Sequence, residues 1–182
     1  YEGWYLPKWR PKQNYKKNYT VSAKQGGGII LDGSHELNYL QWLGGKINQV
    51  FSYDIKVPTL SKNTEGLAEI LLKFNSNAIG RIHLDFVNPQ YNRHCEIIGD
   101  SGSIRWFFDK QTLEIQKSQD NKFRSIKYGK NFNEMYLNEM KYVIGCINGK
   151  KNKILDLNES VRTLEISLAI KKSGRKNIPI NV

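Results

Sequence analysis

The chain has 182 residues and a formal net charge of +11, with 39% hydrophobic and 25% charged side chains. That length fits one domain, with or without an appended arm, and suffices to bury a proper core. No apolar run approaches the roughly 18 residues of a membrane span. The chain opens at Tyr1 with neither a methionine nor a leader of charged and then apolar residues, so a cytoplasmic piece cut from something longer is expected. Cys95 and Cys146 lack metal or C-x-x-C spacing, which points to reduced thiols, and the histidines have no zinc-like spacing, so no metal is expected. Among the first 28 residues Lys8, Arg10, Lys12, Lys16, Lys17 and Lys24 meet only Glu2, with Trp4, Trp9, Tyr15 and Tyr19 interleaved. Basic plus aromatic suits single-stranded nucleic acid. Yet no recognition helix, RNA-binding motif or zinc finger is present, so an anionic small molecule or sugar nucleotide is the expected partner rather than nucleic acid.

Residues 1–25 read as an extended arm, because Pro7 and Pro11 forbid a continuous helix. Gly26-Gly27-Gly28 then allows backbone angles closed to other residues and lets another molecule approach the main chain. It is no dinucleotide fingerprint, which needs G-x-G-x-x-G after a strand. Leu37, Leu40 and Leu43 have helical spacing, predicting a helix from about Ser34 to Leu43 that stops at Gly44-Gly45. Asp32 and His35 fall three residues apart at its start and are expected to share one face, where the helix N-terminus favours a neutral imidazole able to accept a proton. The plainer alternative makes Asp32 a helix cap and His35 a packing residue.

Strands follow. Phe51, Tyr53, Ile55 and Val57 alternate with Ser52, Asp54 and Lys56; Ala68, Ile70, Leu72 and Phe74 repeat the pattern; after the turn Asn75-Ser76-Asn77, Ile82, Leu84 and Phe86 oppose Arg81, His83 and Asp85. Asn88 to Asn92 reads as a turn, and His94–Ile98, Ser103–Phe108, Thr112–Gln116 and Phe123–Tyr128 as further strands. Asn131 with Glu134 and Asp156 with Glu159 resemble capping pairs. They precede the stripes Tyr136, Met140, Val143, Ile147 and Leu157, Val161, Leu164, Leu168, both read as core. The expected class is α+β: a mostly antiparallel twisted sheet with helices packed on one face and the other face open for dimerisation.

Taken together, Trp4-Tyr5-Leu6-Pro7-Lys8-Trp9-Arg10-Pro11, Asn14-Tyr15-Lys16, the run from Gly26 to Gly45, His83-Leu84-Asp85-Phe86, Ile98 to Trp106 and Ser160 to Glu165 resemble a known pattern. It is that of the C-terminal domain of the glucose-fructose oxidoreductase, inositol dehydrogenase and rhizopine-catabolism (Gfo/Idh/MocA) family. The resemblance implies a two-domain NAD(P)-dependent oxidoreductase acting on a hydroxyl or carbonyl of a sugar, sugar nucleotide or polyol. Its N-terminal Rossmann domain, which holds NAD or NADP and supplies a lysine from a Glu-Lys-Pro motif, is absent from this chain. Residues 1–25 would contribute to the substrate site and 26–182 would form the substrate-binding and dimerisation domain, inactive alone and homo-oligomeric through its sheet. His35 matches the family's proton-transferring histidine. Asp32 matches its aspartate with a shift, since many members place that residue where this chain has Leu31. Trp9, Arg10, Tyr15 and Lys16 either stack on a sugar or base and pair with phosphate, or pin the arm to the sheet. Arg93 is either a substrate anchor or half of a structural ion pair. The alternative function is a non-catalytic sugar-binding or dimerisation module.

Overall fold

The computed structural model describes residues 1–129, 132–150 and 157–182. In chain order its elements are β1 (Glu2–Tyr5), α1 (Leu6–Trp9), three 3-10 turns between Tyr15 and Gln25, α2 (Ile29–Asp32), α3 (Ser34–Gly44), β2 (Ile47–Lys56), β3 (Glu65–Phe74) and β4 (Ile79–Asp85). Then come β5 (Val87–Gly99), β6 (Gly102–Phe107), β7 (Thr112–Lys117), β8 (Arg124–Lys127), α4 (Phe132–Ile147), α5 (Leu157–Lys176) and β9 (Ile180–Asn181). The chain divides into one unit of Tyr1–Arg93 with Asn158–Val182 and a second of His94–Leu157. In the first unit the strands lie in the order β5, β1, β4, β3, β2, β9, and every pair is antiparallel except β1 with β4. The second unit is the antiparallel series β5, β6, β7, β8, to which β5 contributes His94–Gly99, together with α4. The α+β class and the antiparallel sheet agree with expectation. No helix among the described residues is long and apolar enough to cross a membrane.

Period-two alternation explains the core of the first unit. Ala68, Ile70, Leu72 and Phe74 of β3 and Ile82 and Leu84 of β4 are buried on one side, under Ile29 and Ile30 of α2, Leu37 of α3, and Ile166 and Ile170 of α5. Thr163 ties the two longer helices together, accepting from Asn38 Nδ2 at 3.3 Å and Gln41 Nε2 at 3.1 Å while donating to the Glu159 carbonyl at 3.0 Å.

Five expectations are corrected. Glu2–Tyr5 is a strand inside the sheet rather than the start of an arm, because β4 and β5 are not paired to each other and leave a gap that β1 fills. Asn88–Asn92 is extended within β5, since Asp85 Oδ1 takes the Val87 and Asn88 N–H groups at 2.8 and 2.6 Å and completes the bend earlier in the chain. On β2 the faces are reversed: Ser52 is buried, whereas Tyr53 and Ile55 are 61% and 56% exposed. The reason is the close approach of α5, whose Ser173 Oγ accepts the Ser52 N–H at 3.1 Å and donates to the Ile178 carbonyl at 2.6 Å. The same approach reverses α5, which buries Thr163, Ser167, Ala169 and Ser173 and leaves Leu157, Val161, Leu164 and Leu168 exposed. Tyr136, Met140, Val143 and Ile147 of α4 are also exposed within their unit, not core. The capping residues Asn131 and Asp156 lie outside the described residues.

A buried ionic cluster fixes α3 to the sheet. Glu36, in the first turn of α3, is fully buried and receives a two-pronged bond from Arg93 of β5, Nε to Oε1 at 2.8 Å and Nη2 to Oε2 at 3.0 Å. Tyr39 adds a bond to Glu36 Oε1 at 3.3 Å. Glu2 of β1 lies 3.7 Å from Arg93 Nε and accepts from the Tyr91 hydroxyl at 3.4 Å, while its Oε2 has no hydrogen-bond partner among the described residues. Burial and the negative charge of Glu36 push Glu2 from its ordinary value near 4.5 up to about 8. One cation thus offsets one buried anion, and Glu2 keeps its proton. A carboxyl whose folded pKa is raised binds more protons folded than unfolded, so this group lowers stability progressively as pH rises from about 4.5 to about 8. Glu2→Gln should therefore flatten the dependence of melting temperature on pH across that window and raise it by roughly a few degrees at pH values above it; melting curves that run parallel for both proteins would refute the assignment.

Candidate active site around His35

The glycine turn is closed by the chain itself. Gly27 N–H bonds to the Ser22 carbonyl and Gly28 N–H to the Thr20 carbonyl, each at 2.9 Å. A Cβ at Gly27 would overlap the carbonyls of Tyr19 and Thr20, and one at Gly28, where φ is +114°, would overlap the Glu65 carboxylate. Glycine is required here because the segment before it packs directly on its main chain. The molecule that approaches this backbone is therefore the protein's own arm, not a ligand.

Past that turn, α2 ends at Asp32, and Gly33 separates it from α3, whose first turn carries His35. Asp32 and His35 thus sit on two consecutive helices rather than on one face of a single helix, a correction to the expected geometry. The consequence is similar, since the two remain close enough to interact electrostatically. Asp32 is partly buried, and burial pushes its carboxyl above the ordinary range, against hydrogen bonds from Thr20 and Tyr19 and the positive charges of Arg10 and protonated His35. Tyr19 is shifted in the complementary sense: burial first, then the Asp32 charge and the bond to it, raise its hydroxyl. The Thr20 hydroxyl also lies 3.0 Å from Asn18 Oδ1. The Glu36 clamp, one residue beyond His35, holds this end of α3 in place, and His35 itself is exposed.

An exposed imidazole with a carboxylate nearby is suited to taking a proton from a hydroxyl and returning it. Of the other candidates, Arg10 is brought into the electrostatic environment of Asp32. Trp9 packs at a tilt against Trp4 and Tyr91 with ring centroids 5.2 and 5.3 Å apart, and Tyr15 reaches the Thr59 carbonyl at 3.5 Å. Lys16 lines a groove with Lys17, Lys24 and Lys56. Arg93 is committed to Glu36 and Glu2 and is a structural cation. His83 is held between Glu69 and Asp85 at 2.5 and 3.0 Å under the Tyr1 ring, and His94 lies near Phe107. Sequence reasoning missed Tyr19, Thr20 and Glu36. Of these only Glu36 left a signal, as an acid within a helix start that the apolar spacing places toward the core.

The glycine turn does not fit the phosphates of a dinucleotide. The Gly27 and Gly28 N–H groups are already donated to carbonyls, and Glu65 occupies the inner side with its carboxylate bound to Lys171 at 2.6 Å.

Comparison with known proteins gives a consistent result. Nothing matches among curated proteins. Among solved structures, levoglucosan dehydrogenase in complex with NADH superposes with a TM-score of 0.84 at 16% identity, covering 100% of this chain and 57% of that one. The aldose-aldose oxidoreductase from Caulobacter crescentus, complexed with glycerol, gives 0.81 at 16% identity over 99% of this chain and 53% of its own. An NAD-binding oxidoreductase from Klebsiella pneumoniae gives 0.78 at 18% identity, covering 91% and 53%. These likenesses establish the fold, and the chain spans about half the length of the proteins it matches. Residues 4–182 match the oxidoreductase family's C-terminal alpha/beta domain, so the chain belongs to the Gfo/Idh/MocA oxidoreductase family and constitutes its C-terminal domain.

Proposed function

We propose that this chain is the substrate-binding half of an NAD(P)-dependent oxidoreductase acting on a hydroxyl or carbonyl of a sugar, sugar nucleotide or polyol. The observation that carries the reading is His35, exposed at the start of α3 beside partly buried Asp32, within a chain that belongs to an oxidoreductase family. The sugar-related names and NADH complex among the structural neighbours favour the substrate class and the cofactor. Because the glycine turn offers no phosphate cradle, the dinucleotide belongs to a nucleotide domain outside this chain. His35 Nδ1 or Nε2 takes the hydroxyl proton in oxidation and returns it in reduction. Asp32 steadies the resulting imidazolium, and Tyr19 and Thr20 steady Asp32. The segment before the glycine turn supplies Arg10, and beside it Trp9 and Tyr15, as one wall of the site. A cytoplasmic location accords with this chemistry.

In the full-length protein His35→Ala is expected to lower kcat by about 100-fold or more with a small change in KM, the size of effect that a positioned acid–base group supplies. Asp32→Asn should lower it less. Unchanged turnover in His35→Ala would leave a non-catalytic sugar-binding or dimerisation module as the better reading.

The open face of the first unit's sheet exposes Tyr53, Ile55, Leu71 and Ile79, a surface suited to pairing with a second copy. Purified alone, the 182-residue chain should elute as a dimer and reduce no NAD or NADP with any sugar. A monomer at high concentration would remove the sheet-face dimer, and turnover by the chain alone would remove the two-domain reading.

A further inference from the structure

From Gly3 to Leu31 the sequence contains neither aspartate nor glutamate. Its lysines are not left on a loose strand. The three 3-10 turns close on themselves, with Asn18 N–H to Tyr15 O at 3.0 Å, Ser22 N–H to Tyr19 O at 2.8 Å and Gln25 N–H to Ser22 O at 3.0 Å. They are tied down from outside by Ser61 Oγ, which donates to the Val21 carbonyl at 3.2 Å. Between this segment and the end of β2 lies an open groove of about 560 Å³ lined by Lys16, Lys17, Lys24 and Lys56, with Asn18 and Asn63 among its polar groups. No carboxylate lines it, and none of the four lysines makes an ion pair among the described residues. Like charges gathered around a concavity repel one another and raise the local concentration of anions, an arrangement favoured once an anion occupies the groove.

We propose that this groove binds phosphate, specifically the phosphate or diphosphate of an anionic substrate. Its size suits a compact anion and not only a single ion. Lysine recognises phosphate as a point charge, and the asparagine amides add donors. No aromatic side chain lines the groove, so there is no platform on which the bases of a single-stranded nucleic acid would stack. Continuity with the site favours the substrate as the source of the phosphate. Asn18 and Ser22 line the groove, while Tyr19 and Thr20 between them lie close enough to Asp32 to influence its carboxyl. One ligand would thus place its sugar at His35 and its phosphate among the lysines. This assignment to substrate rests on the catalytic reading of His35; the binding of phosphate does not.

The test is calorimetry on the full-length protein with inorganic pyrophosphate as the probe. Wild type should bind it with an affinity that falls steeply as salt is raised. Lys16→Gln, Lys24→Gln and Lys56→Gln should each weaken binding about tenfold, and the triple variant should abolish it, because each removes one charged partner. His35→Ala should bind pyrophosphate as wild type does, so a failed catalytic reading stays distinguishable from a failed groove. UDP should displace pyrophosphate, in agreement with the proposal. Displacement by NADP but not by UDP would overturn the assignment to substrate. Salt-independent binding, full binding by the triple variant, or tighter binding of thymidine oligonucleotides in proportion to their length would overturn the site.

Discussion

The bond between Arg93 and Glu36 is the constraint from which the rest of the site takes its position. A guanidinium fork matched to a carboxylate fixes direction as well as distance. Here it joins a strand to the first turn of α3 at the residue following His35. Taking both charges from water is expensive, so the pair is weak as a source of net stability and strong as a source of register. Any slippage of α3 along the sheet would leave two buried charges unpaired. His35 is therefore held by a contact that it does not make, and Glu2 completes the arrangement by remaining protonated rather than adding a second negative charge.

The same logic of close approach runs through the helical layer. α5 meets β2 through serines and glycine: Ser173 serves the Ser52 N–H, and a Cβ at Gly174 would overlap Asp54. Small residues let the helix sit near enough for its hydroxyl to complete a backbone hydrogen bond, which no leucine could do. The glycine turn repeats this at the site, where absence of side chains lets residues 19 and 20 lie against residues 27 and 28 and puts Tyr19 and Thr20 beside Asp32.

This explains what was legible in the sequence. Ala68, Ile70, Leu72 and Phe74 announced both a strand and its buried side, because hydrophobic burial follows apolar area and period two shows it directly. β2 and α5 deceived for a shared reason. Tyr53 and Ile55 of β2 and Leu157, Val161, Leu164 and Leu168 of α5 face outward, while Ser52, Thr163, Ser167 and Ser173 lie inward beside Ile166 and Ile170, since the contact is governed by how close two backbones come. Pairing across long sequence distance was equally hidden, so Glu2–Tyr5 read as part of an arm. At the site, Asp32 and His35 were visible as chemistry and the glycines as a bend. The helix break at Gly33, and the roles of Tyr19 and Thr20, depend on which segment folds over which, and no local pattern carries that.

The insertion of β1 between β4 and β5 has a consequence for how the protein is made. β4 and β5 are separated by Phe86 alone, yet they do not pair; Glu2 instead meets Leu84 on one side and Arg93 on the other. Until β1 finds this slot, two neighbouring strands present unpaired edges, and such edges invite pairing with other chains. Closing the gap demands a contact between distant parts of the chain, which is intrinsically slow. Glu2 is ionised in the unfolded chain above its ordinary value near 4.5 and must take up a proton as it enters the slot. Assembly of the central strand is thus the step at which this domain is most exposed to aggregation, and the one most helped by acidic pH.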